Sequence, residues 1–293
     1  TGAVKIFDLT TGSFEASPFL TMPSVGQTAE QGAYAIAFAP DYATSGKFYV
    51  SLTTPDDKFQ VLEYSVSADP NLADAASGRA ILTIQHPDDG QQSHYGGWIG
   101  FGPDGHLYVT TGDSNADPID GAAQDRSNLL GSVLRIDPAA GSDPENNYST
   151  PADNPFVGGD AADDAVYAYG LRNPYRAAFD PVTGAFLISD VGEDNYEEVN
   201  LGIAGANYGW PGREGAHDFM PALLDGAPVT DPIYEYLHGA GAFDGQSITG
   251  GDFYQGPVDA LDGMYFFGDF VSGKIWSFVY DDVTKTVSDL VAW

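Results

Sequence analysis

The sequence predicts an all-β fold, a propeller assembled from repeated strand hairpins. Three observations lead there. Glycine (36) and proline (19) punctuate the 293 residues, and Tyr, Phe, Val, Ile and Thr fill the segments between them. β-Branched and aromatic runs bounded by turn residues are strand signals. One pattern then recurs: an aromatic residue, a turn opened by Pro or Asp, and an alternating strand. Helix signals are scarce.

The copies follow in chain order. Phe38-Ala39-Pro40-Asp41 leads to Lys47-Phe48-Tyr49-Val50. Phe101-Gly102-Pro103-Asp104-Gly105 leads to Leu107-Tyr108-Val109. Phe179-Asp180-Pro181 with Thr183-Gly184 leads to Phe186-Leu187-Ile188, and Leu261-Asp262-Gly263-Met264-Tyr265-Phe266 is a looser copy. In each, Pro and Asp open a turn and Gly supplies the positive-φ position. Hairpins repeated at long spacing read as blades that bury their faces against their neighbours. Asp113 to Gln124 and Asp137 to Asp164 are rich in Asp, Pro and Gly and read as loops. Leu129 to Arg135 has helical propensity, but Val133, Leu134 and Ile136 fit a strand better. The expectation is one domain spanning 1–293.

Charge narrows the partners. Forty-two acidic residues against 11 basic ones give a net charge of −31. Such a surface repels nucleic acid and anionic membranes and attracts cations. No cysteine is present, which removes disulfide and thiolate chemistry. No apolar run reaches the ~18 residues of a membrane span. The opening Thr1-Gly2-Ala3-Val4-Lys5 is not a signal peptide and reads as a mature or trimmed start in mid-strand. The expected setting is extracellular or periplasmic.

Four segments can carry chemistry. His94 stands in Ser93-His94-Tyr95-Gly96-Gly97 at the lip of a strand, where a histidine can act as a general base. Asp113 ends the following hairpin, so antiparallel pairing brings it toward His94, and an aspartate there fixes the imidazole tautomer. Taken alone, both residues fit ordinary turn positions equally well. Tyr169-Gly170-Leu171-Arg172-Asn173-Pro174-Tyr175-Arg176 concentrates two of the few cations. A guanidinium suits a carboxylate or a developing oxyanion, or simply an ion pair with the acidic background. Ser189 to Asn200 is dense in oxygen ligands of the kind calcium takes, and is also readable as a solvated acidic turn. Asp113-x-Asn115-x-Asp117 is not an EF-hand, because Pro118 stands where that loop needs glycine. Phosphate loops, zinc spacings and a nucleophile elbow are absent from the sequence.

Together these segments resemble the soluble quinoprotein aldose and glucose dehydrogenases and their glucose/sorbosone dehydrogenase relatives. The resemblance runs in order through Glu30-Gln31-Gly32, His94-Tyr95-Gly96-Gly97, Gly112-Asp113, Leu129-Leu130-Gly131, Tyr169 to Pro174, Asp190-Val191-Gly192, Glu197 to Asn200, Asn207 to Pro211, Thr249-Gly250-Gly251 and Gly268-Asp269-Phe270. It implies a six-bladed propeller of four-stranded antiparallel blades, with pyrroloquinoline quinone (PQQ) at the mouth of the axial channel. It implies PQQ- and calcium-dependent oxidation of an aldose at C1, with an external electron acceptor. His94 would be the base, Asp113 its orienting partner, and Arg172 the stabiliser of charge on the reduced quinone. Glu30 or Gln31, Asn173 and Gln255 would line the cofactor pocket. The carbonyls of Gly192 and Glu193 would hold the cofactor calcium, and Glu198 with the Tyr208 carbonyl a second one.

Departures accompany the match. Gln255 stands at the position matched to a cation that grips PQQ, Ser132 at one often held by lysine, and Glu30 at one held by glutamine. PQQ carries three carboxylates, so each lost charge-assisted contact costs roughly 1.5–3 kcal/mol. The end blades are expected to be incomplete, or the ring smaller. These departures support an alternative, a non-catalytic, secreted, calcium-stabilised propeller that binds or adheres. A calcium-dependent lactonase has only fold and calcium in its favour.

Overall fold

The computed structural model describes residues 2–87, 92–115, 119–139, 141, 146–159 and 163–293. Among them helix is confined to one α-turn, Tyr42–Ser45, and three single 3₁₀ turns. Everything else ordered is strand and loop, as the turn-rich composition predicts. No helix among the described residues is long and apolar enough to cross a membrane.

Four four-stranded sheets follow one another along the chain. Blade 1 comprises Ala33–Phe38, Lys47–Thr53, Lys58–Val66 and Ala73–Gln85; blade 2 comprises Ile99–Phe101, Leu107–Thr111, Ser132–Ile136 and Val166–Tyr169. Blade 3 comprises Arg176–Phe179, Phe186–Asp190, Tyr196–Leu201 and Tyr234–Leu237; blade 4 comprises Ile248–Phe253, Met264–Asp269, Ile275–Asp281 and Thr286–Ala292. All pairs within the blades are antiparallel. This is the sheet architecture of a propeller. The recurring aromatic-turn-strand pattern marks the same place in every blade, the connection between the first and second strands. The described residues form four full blades; the resemblance implies six. The N-terminal pair Ala3–Val4 with Leu20–Thr21 lies ahead of blade 1. Phe19, Leu20, Met22 and Val25 of that region pack on Phe48, Val50, Leu52 and Tyr64 of blade 1.

The alternation of side chains along a strand glues each blade to two neighbours at once. In blade 2, Leu107, Val109, Leu134 and Ile136 pack toward Tyr49, Val61 and Leu82 of blade 1. The intervening Tyr108 and Val133 pack toward Ala177, Phe186 and Ile188 of blade 3. Leu187 and Val199 of blade 3 then meet Ile248, Phe267, Trp276 and Phe278 of blade 4. First strands approach one another at the centre, where Arg176 Nη2 of blade 3 donates to the Tyr34 carbonyl of blade 1 at 3.1 Å.

One capping device recurs at the end of the second strand. In blade 3, Asp190 accepts the backbone N–H groups of Arg172 (2.9 Å) and Asn173 (2.7 Å), which precede the blade's first strand. In blade 4, Asp269 accepts those of Gln246 and Ser247, both at 2.8 Å. Blade 1 uses Thr53, whose hydroxyl accepts the Gly32 N–H at 2.8 Å. Blade 2 differs: Asp113, two residues beyond the end of its second strand, takes the side chain of the lead-in residue His94 rather than a backbone N–H. These contacts draw the lead-ins of the four first strands toward one face, through backbone N–H groups in blades 1, 3 and 4 and through the His94 side chain in blade 2.

Leu134 is fully buried between blades 1 and 2. Leu134→Ala is expected to lower unfolding free energy by about 2–5 kcal/mol in urea titrations. Val283→Ala, at a position 91% exposed, is expected to change it by less than about 0.5 kcal/mol.

Candidate functional site

The gathered lead-ins and second-strand exits enclose a cavity of about 450 Å³. Lead-ins supply Glu30 from blade 1, His94 from blade 2, Arg172, Asn173 and Tyr175 from blade 3, and Ser247 from blade 4; exits supply Val191, Gly192 and Phe270. That size suits a small organic ligand.

His94 sits at φ 54°, a left-handed conformation unusual for a residue with a Cβ. Two contacts hold it there. Its N–H donates to Glu30 Oε2 at 2.9 Å. Its carbonyl lies so close to Gly112 that a Cβ on residue 112 would overlap it at 1.8 Å. Only glycine allows this approach. The ring is 7% exposed overall with its residue, and Nδ1 lies 2.8 Å from Asp113 Oδ1. Asp113 also accepts the Asn115 N–H at 2.9 Å and the Trp210 indole N–H at 2.6 Å. Burial alone would raise the Asp113 carboxyl. The His94 hydrogen bond, the charges of His94 and Arg172 and the Asn115 N–H outweigh it and hold the group below its usual value. An ionised carboxylate only accepts, so Nδ1 carries the proton and Nε2 is left as the basic nitrogen.

Arg172 lies over the Trp210 ring, 5.5 Å from its centroid. Its Nη1 donates to the Val191 carbonyl at 3.2 Å, and its Nη2 pairs with the Glu193 carboxylate. Its Nε is buried without a partner. Asn173 Oδ1 accepts the Gly96 N–H at 3.0 Å, tying blade 3's lead-in to the glycine pair after His94.

The acidic run 189–200 divides by facing. Glu214 grips its turn: Oε1 accepts the N–H groups of Glu193 (2.8 Å), Asp194 (2.7 Å), Asn195 (2.8 Å) and Tyr196 (3.2 Å). Such a nest of N–H groups favours the carboxylate. Those bonds outweigh the effect of burial and hold Glu214 below its ordinary value. Asp190 and Glu198 face inward, paired across adjacent strands. Burial first, then the Glu198 charge, pushes Asp190 well above the carboxylate range; burial pushes Glu198 up to about 7.

The remaining sequence candidates distribute as follows. Glu30 faces the cavity, whereas Gln31 turns away and donates to Asp57 Oδ1 at 2.9 Å. Gln255 does not reach the cavity. It is exposed beyond the end of strand Ile248–Phe253, while the cavity lies at that strand's beginning. A first strand runs from the cavity face to the opposite face, so a residue after its last rung lies a strand length away. Ser132 is buried in the second hairpin of blade 2 and donates to the Leu130 carbonyl at 2.9 Å. Gly192 lines the cavity, with Glu193 on the same turn. Glu198 is engaged by Asn200 Nδ2 and the Gly215 N–H, and Tyr208 donates its hydroxyl to the Leu201 carbonyl at 2.6 Å. No hydrogen bond joins Glu198 to Tyr208 among the described residues. Nor do those residues gather three acidic or histidine side chains around a metal position. Asp117 and Pro118 lie outside the described residues. Trp210, Tyr175 and Phe270 were missed as site residues.

A propeller with a buried His–Asp pair, an arginine and an asparagine on one cavity defines a class of cofactor-scale ligand sites. The chain belongs to the glucose/sorbosone dehydrogenase family, whose model matches residues 1–291. It superposes on the PQQ-bound aldose sugar dehydrogenase of Streptomyces coelicolor with a TM-score of 0.76 and 25% identity, covering 100% of this chain and 75% of that one. It is 33% identical to the HIPL1 protein of Arabidopsis thaliana, over 89% of this chain and 46% of that protein. It is 30% identical to the human Hedgehog-interacting protein, over 97% of this chain and 40% of that protein. The chain thus spans less than half the length of these two relatives.

Two expectations follow. Asp113→Asn is expected to lower stability by about 1–3 kcal/mol at pH 7. Because the native pKa is depressed, that deficit should shrink as pH falls below 3.8, read from urea titrations at pH 7 and pH 3. In Glu214→Ala, hydrogen exchange at the amides of residues 193–196 should accelerate well beyond any global change.

Proposed function

We propose that this cavity oxidises an aldose at C1 to the lactone, using PQQ and calcium. The observation that carries this reading is the buried His94–Asp113 pair opening onto the same cavity as Arg172 and Asn173. The donor set fits a quinone. Arg172 keeps a buried, unpartnered Nε for an anionic oxygen. Asn173 is fixed beside it, and the Gly192–Glu193 turn would offer carbonyls to calcium. When bound, PQQ supplies a two-electron acceptor and calcium a Lewis acid. The chain's own residues do the rest. Asp113 holds the His94 ring with Nδ1 protonated, so Nε2 takes the proton of the sugar's C1 hydroxyl. Trp210 prevents Asp113 from rotating away. Arg172 holds negative charge at the cavity floor. The acidic surface and the family support an extracellular or periplasmic setting.

A second reading, a calcium-stabilised binding module, has its own support. Among the described cavity residues Arg172 is the one permanent cation, while Glu30 adds an opposing charge. Phe270, 82% exposed, gives the cavity an apolar rim where a triacid would favour a cation. Relatives bearing HIPL and Hedgehog-interacting names belong to the same similarity group.

Melting of the chelator-treated protein with calcium alone and with calcium plus PQQ separates the two. Saturating PQQ at 100 times its dissociation constant should add about 2.7 kcal/mol of stability. Dye-linked oxidation of an aldose panel should then appear, and His94→Gln should lower turnover by about 10²–10⁴-fold while keeping the PQQ shift. A calcium shift with no PQQ shift and no turnover would replace this reading with the binding module.

A further inference from the structure

Arg172 already has an anionic partner. Its guanidinium offers a carboxylate two bidentate edges, Nη1 with Nη2 and Nε with Nη2. Both edges use Nη2, and Nη2 is the atom that Glu193 holds. Nη1 is turned to the Val191 carbonyl, Trp210 covers one face, and Nε is buried and unpartnered. Nη2 carries one N–H for each edge and Glu193 takes one of them, so an incoming carboxylate loses that edge and meets the Glu193 charge beside the other while Glu193 stays in place.

Glu193 is built to yield. Its backbone is pinned, because its N–H is one of the four donated to Glu214 Oε1. Its side chain is 34% exposed, against 11% for Arg172. The carboxylate can swing into water from a fixed backbone position, whereas the guanidinium cannot leave.

We infer that Glu193 is an affinity-determining residue of the cavity: its carboxylate occupies Arg172 and competes with carboxylate-bearing ligands for it. For PQQ the inference rests on the quinone reading above; for anions in general it does not. Glu193 thereby discriminates. A ligand able to form two bonds to the guanidinium displaces it, and a weak monodentate anion does not.

The test removes the charge and keeps the shape. In Glu193→Gln, the PQQ dissociation constant, read by fluorescence titration with calcium present, is expected to fall about tenfold. Arg172→Gln added to that variant should abolish the gain. Asp194→Asn, a neighbouring exposed carboxylate, should change the constant less than about twofold, because exposed charges are screened. A second probe needs no cofactor. Inorganic sulfate should raise the melting temperature of Glu193→Gln more than that of the unsubstituted protein, and Arg172→Gln should erase the difference. If Glu193→Gln gains neither PQQ affinity nor sulfate protection, the inference is overturned. A gain that survives Arg172→Gln, or is matched by Asp194→Asn, also overturns it by showing a general charge effect. If sulfate protection appears and PQQ binds neither protein, the inference stands and the quinone reading falls.

Discussion

The structure depends on the polar residue that closes the second strand in three of the four blades described. In blades 1, 3 and 4 that residue, Thr53, Asp190 or Asp269, accepts backbone N–H groups from the lead-in to the first strand. The cap satisfies donors that would otherwise be buried unpaired, each worth about 1–3 kcal/mol if orphaned. It also bends those lead-ins over the same face. Blade 2 sets its carboxylate two residues past the strand's end and gives it a different partner. Asp113 takes the His94 ring instead of a backbone pair, and the Trp210 indole fills its other oxygen. Where three blades cap a backbone, the fourth uses a carboxylate near the same strand exit to set a histidine tautomer.

This explains what was legible in the sequence. The hairpins were legible because aromatic, Pro/Asp and Gly positions recur at the first-to-second strand connection, where turn chemistry is local. His94 and Asp113 were legible as a pair because they flank a single hairpin, whose antiparallel register brings its two ends together. Trp210 was not, since it reaches Asp113 from 97 positions along the chain, through the long connection of blade 3. Gln255 failed for a related reason. Motif order placed it near the cofactor, but strand polarity sends it to the opposite face; the wall there comes from the second-strand exit at Phe270. In the acidic run 189–200 the sequence did not show burial: Glu197 and Glu198 point to opposite faces of one strand, and both are buried because the blade is packed on both faces. Once inward, they are governed by burial rather than by the solvated charge that a sequence suggests.

The acidic character of the chain matters differently at different depths. On the surface, a net charge of −31 acts through screened, long-range repulsion. Inside the blades, Asp190 and Glu198 avoid two adjacent charges by rising pKa. At the cavity, neither screening nor neutralisation is complete, and Arg172 and Glu193 resolve the conflict by pairing.

That pairing bears on whether the chain is a catalyst or a binding module. The two readings share the cavity, the His94–Asp113 pair and the fold, so none of those separates them. They differ in how much anion affinity the cavity retains. A triacid facing Arg172 alone, with Glu30 opposite and Phe270 at the rim, depends on displacing Glu193 and on any charge that calcium adds at the adjoining turn. If calcium neutralises that turn, the electrostatic deficit left by the missing cations narrows, and a quinone can be held without a lysine. If it does not, Glu193 keeps Arg172 occupied and the cavity favours neutral or cationic ligands. On the proposed readings, the arginine's ion pair, more than the histidine dyad, is therefore the feature on which oxidation and recognition would differ.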